Sequence, residues 1–170
     1  PVRTNEPELL DALNNIREGN VSSSVVDFLH SRTVPPSDSF DGTRLFPHRA
    51  TADRYNHQRL DILPGRENIF TTSYEGRSVS VEQLKRQCPI PEELHIKIGA
   101  LVMLRKNDVQ YPYAYVNGTL GTVMALSRDT LTLKLLDGKT IDIECATFSL
   151  IDGSGEVQAS AYNFPVTLAW

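Results

Sequence analysis

Leu94-His95-Ile96-Lys97-Ile98-Gly99-Ala100-Leu101-Val102-Met103-Leu104 places an apolar side chain, or Ala100, at every even position. A period of two turns one face of a strand toward a core and the other toward solvent. The stretch therefore reads as one long strand, bent at Gly99, where a residue without Cβ permits a kink. Just before it, Cys88-Pro89-Ile90-Pro91 interrupts the chain and marks a change of regime. The alternation continues downstream through Gly121–Leu126, through Leu131, Leu133 and Leu135, and through Ile141, Ile143 and Cys145. Val116-Asn117-Gly118 supplies one turn, and Asp137-Gly138 reads as a two-residue hairpin. Short antiparallel strands in this density predict a small SH3-like β-barrel over residues 88–155.

Upstream, the period changes to that of helices. Asn5 reads as a cap with Glu8 as its capping-box partner, and Pro7 lies in the first turn. Leu9, Leu10, Leu13 and Ile16 then follow at helical spacing until Gly19. A second helix opens in Ser22-Ser23-Ser24 and ends before Pro35-Pro36. Thr43-Arg44-Leu45-Phe46-Pro47 reads as a short buried strand, Arg49–Leu63 as a helix, Ile69–Tyr74 as a strand and Val81–Arg86 as a short helix. Alternating strand and helix predicts an α/β layer, so the fold class is α/β plus β. The α/β part covers 1–87 and 156–170, with 88–155 inserted. Asn163–Trp170 runs apolar to the last residue without a turn or polar tail, which reads as a chain that continues past Trp170.

The 170 residues carry a net charge of −4, 40% hydrophobic and 22% charged residues. This is the balance of a soluble globular protein and not of a free-standing, high-affinity nucleic-acid binder. The average conceals a local excess: Arg44, Arg49, Arg54, Arg59 and Arg66 stand against Asp53 and Asp61. That segment suits either one strip of phosphate contact or a solvated helix face. No run is long and apolar enough to span a membrane. Cys88 and Cys145 have no metal-ligand spacing, and so sparse a use of cysteine fits a reducing, intracellular compartment.

Gly138-Lys139-Thr140 ends like a phosphate-binding loop, but the required upstream glycine is Leu133, so the hairpin reading prevails. His30, His48, His57 and His95 lie in unrelated elements, and no metal site is expected. No nucleophile elbow or acid–base pair is present. Tyr111-Pro112-Tyr113-Ala114-Tyr115 either offers rings for base stacking or covers the open end of the barrel.

Five blocks, in order, carry a family resemblance. Arg3-Thr4-Asn5 with Leu9–Gly19 resembles the FRQ and LNxIRxG region of Pif-type, RecD-like DNA helicases of superfamily 1. Leu45–Asn56 is similar to their LFPTxAxADRxN, Leu94–Asn107 to LxLKxGAxVMLxKN and Val116–Val123 to VNGSxGxV. Pro165–Trp170 resembles the start of PxxLAWAxTIHKSQG. The resemblance implies a fragment of the second RecA-like motor domain carrying an inserted SH3-like domain. It implies an ATP-dependent 5′→3′ helicase as the parent, with ATP and Mg2+ held elsewhere and this piece inactive alone.

In that frame Arg3 is the arginine that reaches the γ-phosphate, although Val2-Arg3-Thr4 replaces the family's Phe-Arg-Gln. His48, Arg49 and Asn56 correspond to the part that holds single-stranded DNA. Lys106, Asn107 and Asn117 are the polar loop candidates of the inserted domain. The partners implied are single-stranded DNA and the first RecA-like domain. The compartment would be nuclear or mitochondrial in a eukaryote and cytoplasmic in a bacterium. The alternative is a strand- or protein-docking module, without motor action, in a larger nuclease or mobile-element protein.

Overall fold

The computed structural model describes residues 4–35 and 42–170. They fall into two units, divided between Phe40 and Asp41. Arg3 lies outside the described residues.

The first unit holds α1 (Pro7–Arg17) and α2 (Ser23–Ser31). The expected Asn5 cap is displaced: Pro7 occupies the first turn, so Glu6 becomes the N-cap, and it makes no side-chain capping bond. Thr4 Oγ1 instead accepts the Glu6 N–H at 3.2 Å. Ala12 and Val25 are the buried residues of these helices, and the Arg32–Glu6 ion pair joins the end of α2 to the start of α1.

The second unit begins with a segment at 43–46 that is not a strand. Leu45 is 94% exposed there, and the proline that follows leaves no ladder to join. Next come α3 (Arg49–Ile62), β1 (Asn68–Thr71), β2 (Ser73–Gly76) and α4 (Ser78–Gln87). The rest is strand: β3 (Glu93–Ile96), β4 (Leu101–Leu104), β5 (Leu120–Leu126), β6 (Thr130–Leu135), β7 (Thr140–Glu144), β8 (Ala146–Ile151), β9 (Val157–Asn163) and β10 (Val166–Leu168). They form three open sheets in the orders β1-β3, β10-β4-β5-β6-β7 and β2-β9-β8. All described pairings are antiparallel. The class is thus mixed α and β. Three pairs, β1–β3, β4–β10 and β8–β9, cross the division expected at 87/88 and 155/156.

The opening stretch is not one strand but two. At Gly99 the backbone takes φ +89°, a conformation that residues with a Cβ rarely adopt. On one side β3 pairs with β1, and on the other β4 pairs with β5 and β10. The kink also shifts the alternation. Ile98 is 58% exposed, while Lys97 turns inward, is 8% exposed and donates from Nζ to the Leu63 carbonyl at 3.1 Å. The other even positions follow the pattern: Leu94, Ile96, Ala100, Val102 and Leu104 are buried.

These residues join Val123, Leu131, Leu133, Ile143, Phe164, Val166, Trp170 and Leu60 of α3 in one core. Each fully buried aliphatic side chain there contributes about 1.5–3 kcal/mol. The hairpin at Asp137-Gly138 forms where expected but with a three-residue loop. Gly138 N–H donates to Leu135 at 3.0 Å, Leu135 N–H donates to Lys139 at 2.7 Å, and Gly138 has φ +88°. Asn163, 4% exposed, ties the sheets together. Its Nδ2 donates to Phe70 O and Thr72 Oγ1, both at 2.9 Å, and its Oδ1 accepts the Phe164 N–H at 2.8 Å.

Candidate nucleic-acid interface

α3 starts at Arg49 because Pro47 excludes helix before it and His48 is extended (φ −122°, ψ 130°). No side chain caps this end, and no acidic residue lies in the first turn. The positive pole of the helix is therefore not neutralised locally, an arrangement that favours anions. His48 and Arg49 are both exposed. Among the described residues Arg49 pairs with Asp53, at 3.7 Å and itself largely exposed, an ion pair of little strength.

Asn56 is used differently. Its Nδ2 donates to Leu168 O at 3.2 Å, and its Oδ1 accepts the Trp170 N–H at 3.0 Å. Thr43 Oγ1 donates to Ala169 O at 2.6 Å, so the end of β10 is held from both sides. Tyr55 carries the 43–46 segment: Phe46 lies 5.3 Å from its ring, and the Arg44 guanidinium 5.0 Å above it. Arg59 extends over the Trp170 ring at 5.8 Å.

These elements border a cleft of about 540 Å³. Arg44, Arg49, Arg86 and Arg105 line it against the carboxylates of Asp53 and Glu93, together with His57 and His95. An arginine excess in one groove of an acidic chain concentrates positive potential where a phosphate chain would run. The two histidine rings stand 5.7 Å apart, and His95 Nδ1 contacts Glu67. Among the described residues no group of three or more His, Cys, Asp or Glu gathers for a metal ion.

The β4–β5 connection, residues 105–119, forms the second region. Arg105 lines the cleft, and the next residue, Lys106, reaches Thr147 O at 3.5 Å and lies 5.9 Å from the Phe148 ring. Asn107 and Asn117 are brought together: Asn107 Oδ1 accepts the Asn117 N–H at 2.8 Å. Asp108 staples the loop, accepting Gln110 N–H at 3.1 Å and Ala114 N–H at 2.8 Å. Those backbone amides, Ala114 first, hold the Asp108 carboxyl below the usual aspartate range.

Of the expected contact residues, His48, Arg49 and Asn56 thus share α3 and its N-cap, and Lys106, Asn107 and Asn117 share the loop. Arg86 and Arg105 were not singled out from the sequence. Arg105 follows a strand of alternating residues, and only the position of β4 beside β10 reveals that it faces the cleft. The described residues do not fit a nucleoside triphosphate with magnesium, since Gly138-Lys139-Thr140 is a hairpin turn and no carboxylate cluster is present.

The described residues 42–170 thus belong to the mixed α and β class, with an arginine-lined groove among them. Comparison narrows that class. The chain is 33% identical over 168 residues to the ATP-dependent DNA helicase Pif1 of Bdellovibrio bacteriovorus, covering 99% of this chain and 38% of that protein. Bacteroides sp Pif1 in complex with ADP-AlF4 superimposes with a TM-score of 0.80 at 28% identity, over 99% of this chain and 39% of that one. Bacteroides Pif1 bound to ssDNA gives 0.68 at the same identity and coverage. No family model matches the chain. The chain belongs to the Pif-type helicases of superfamily 1. No helix among the described residues is long and apolar enough to cross a membrane.

Proposed function

We propose that the chain is the strand-gripping part of the second motor half of an ATP-dependent 5′→3′ DNA helicase. The observation that carries this is the arginine-lined cleft beside the uncapped start of α3, in a chain of net charge −4. His48 and Arg49 contact the sugar-phosphate chain, and Asn56 holds the β10 edge against which the strand lies. The β4–β7 meander is the core of an SH3-like insert in a RecA-like domain, and Lys106, Asn107 and Asn117 shape its strand-facing loop. Arg3 is the arginine offered to the ATP site. ATP and Mg2+ belong with the first RecA-like domain, the second partner of this chain besides single-stranded DNA. The curated relative and the Bacteroides structures named above support this reading, and the chain's 38% share of the Bdellovibrio helicase's length leaves room for the remaining motor parts.

The test is fluorescence anisotropy of a labelled single-stranded oligonucleotide with this chain at low salt. Binding that weakens steeply as salt rises is expected from phosphate contacts. No binding even at low salt overturns the grip. Magnesium-dependent ATP turnover by the 170-residue chain would overturn the assignment of the ATP site to other parts of the motor.

A further inference from the structure

We propose that Tyr111 and Tyr113 form a stacking platform for the bases of single-stranded nucleic acid. The inference deepens the strand-gripping role above and rests on it. Of the three tyrosines in the loop, Tyr115 alone packs against the core. Tyr111 is 87% exposed and Tyr113 61% exposed. Cover for the sheet end is thus the work of Tyr115, and the other two rings are left outside it.

The two exposed rings meet edge to face, with centroids 5.8 Å apart and planes at 88°. In that arrangement the ring that offers its edge keeps both faces open to a base. The loop beneath does not have to be ordered on binding. Asp108 anchors it through the Gln110 and Ala114 amides, its own N–H donates to Tyr115 O at 3.2 Å, and Asn107 holds Asn117. Rings with few rotatable bonds on a prearranged loop lose little entropy on binding.

The loop's charge also favours a nucleic acid. Arg105 and Lys106 stand at its base, while Asp108, its one carboxylate, is occupied by backbone amides. Arg105, the first residue of the loop, is also part of the cleft lining, so the loop starts at the edge of the cleft. Two rings around one proline give too small a surface for a stable protein interface, which needs about 800 Å² per partner. They match the area of one or two bases.

The experiment uses the whole chain and a single-stranded oligonucleotide containing 2-aminopurine, titrated at low salt. Quenching on binding is expected. The double variant Y111A/Y113A should lose affinity about 5- to 150-fold, the range for one stacked base, and should lose the quench. Y111F/Y113F should keep both, since stacking needs the ring and not the hydroxyl. An abasic oligonucleotide should bind the native chain more weakly, yet bind Y111A/Y113A no worse than the normal one. If Y111A/Y113A binds as the native chain does while R49A loses affinity, the platform is overturned and the grip stands. If the Phe variant loses as much as the Ala variant, hydrogen bonding replaces stacking and the proposal fails. If the native chain binds no strand at all, the grip itself falls and takes the platform with it.

Discussion

The α3 side of the cleft and the β4–β5 loop solve one problem with opposite materials. Beside the cleft the exposed groups are nitrogen donors, the His48 imidazole and the Arg49 guanidinium, and an asparagine behind them fixes backbone at Leu168 and Trp170. In the loop the exposed groups are aromatic, Tyr111 and Tyr113, and again an asparagine behind them fixes backbone, at Asn117. The difference teaches what the amides do. Asn56 and Asn107 both read from sequence as contact residues, yet each has a side-chain oxygen occupied by the chain's own N–H. Asparagine suits this because it can donate and accept at once, with no charge to desolvate. The groups left over for a ligand are their neighbours.

Both regions stand on one support, and removing it should produce the largest effect. Phe164 is 1% exposed and packs edge-on against Phe70 at 5.0 Å, in the core that also holds Leu60 of α3 and Leu104 of β4. Phe164→Ala should cost about 3–5 kcal/mol of stability by urea unfolding. Tyrosine fluorescence and far-ultraviolet dichroism should then lose their native signals in one shared transition. A loss below about 1 kcal/mol, or two separate transitions, would mean that the regions have independent supports.

That shared core was largely legible beforehand, because alternation is a direct record of which face is dry. Val102, Leu104, Leu131, Leu133 and Ile143 are buried as their spacing requires. The errors fall where a local constraint overrides the period. Gly99 splits one strand into two with different partners, and Lys97 replaces Ile98 on the inside because a carbonyl at the end of α3 awaits its ammonium. Thr43–Phe46 looked like a buried strand because its residue types are β-prone. Leu45 is nevertheless exposed, and Thr43 and Phe46 are held by Ala169 and Tyr55, contacts more than any strand signal can encode. The cleft was only half legible. Arg44 and Arg49 belong to the arginine cluster visible in the sequence, whereas Arg86 and Arg105 join them only through the fold.

The two asparagines should separate next. Asn56→Ala strips partners from Leu168 O and the Trp170 N–H, the latter in a residue 4% exposed, and should cost about 1–3 kcal/mol. Asn107→Ala frees an exposed amide that water can take over, and the loss should stay within about 0.5–1.5 kcal/mol. Equal losses would remove the distinction between a buried lock and a loop lock. Arg49→Ala should leave stability within about 0.5 kcal/mol. It should flatten the dependence of log affinity for single strands on log salt by about one unit. An unchanged slope would take Arg49 off the strand.

The smallest effect concerns protons, and it falls on one region only. Asp108 is held below its ordinary value of 3.8 by the Ala114 and Gln110 amides. A group with a depressed folded value contributes its stabilisation in full above the unfolded value and loses it as pH falls through the folded one. The staple should therefore be intact at neutral pH and loosen only in acid, below 3.8 and on through the depressed value. Amide exchange followed by NMR should show the Gln110 and Ala114 protons losing protection there, and Asp108→Asn should show the weakened staple already at neutral pH. The Asn56 side chain does not titrate, and beside it the Ala169 N–H, which donates to Leu101 O at 3.0 Å, should keep its protection through the window in which the loop opens. Simultaneous loss at Ala114 and Ala169 would show global acid unfolding instead, and the loop would then have no local proton control.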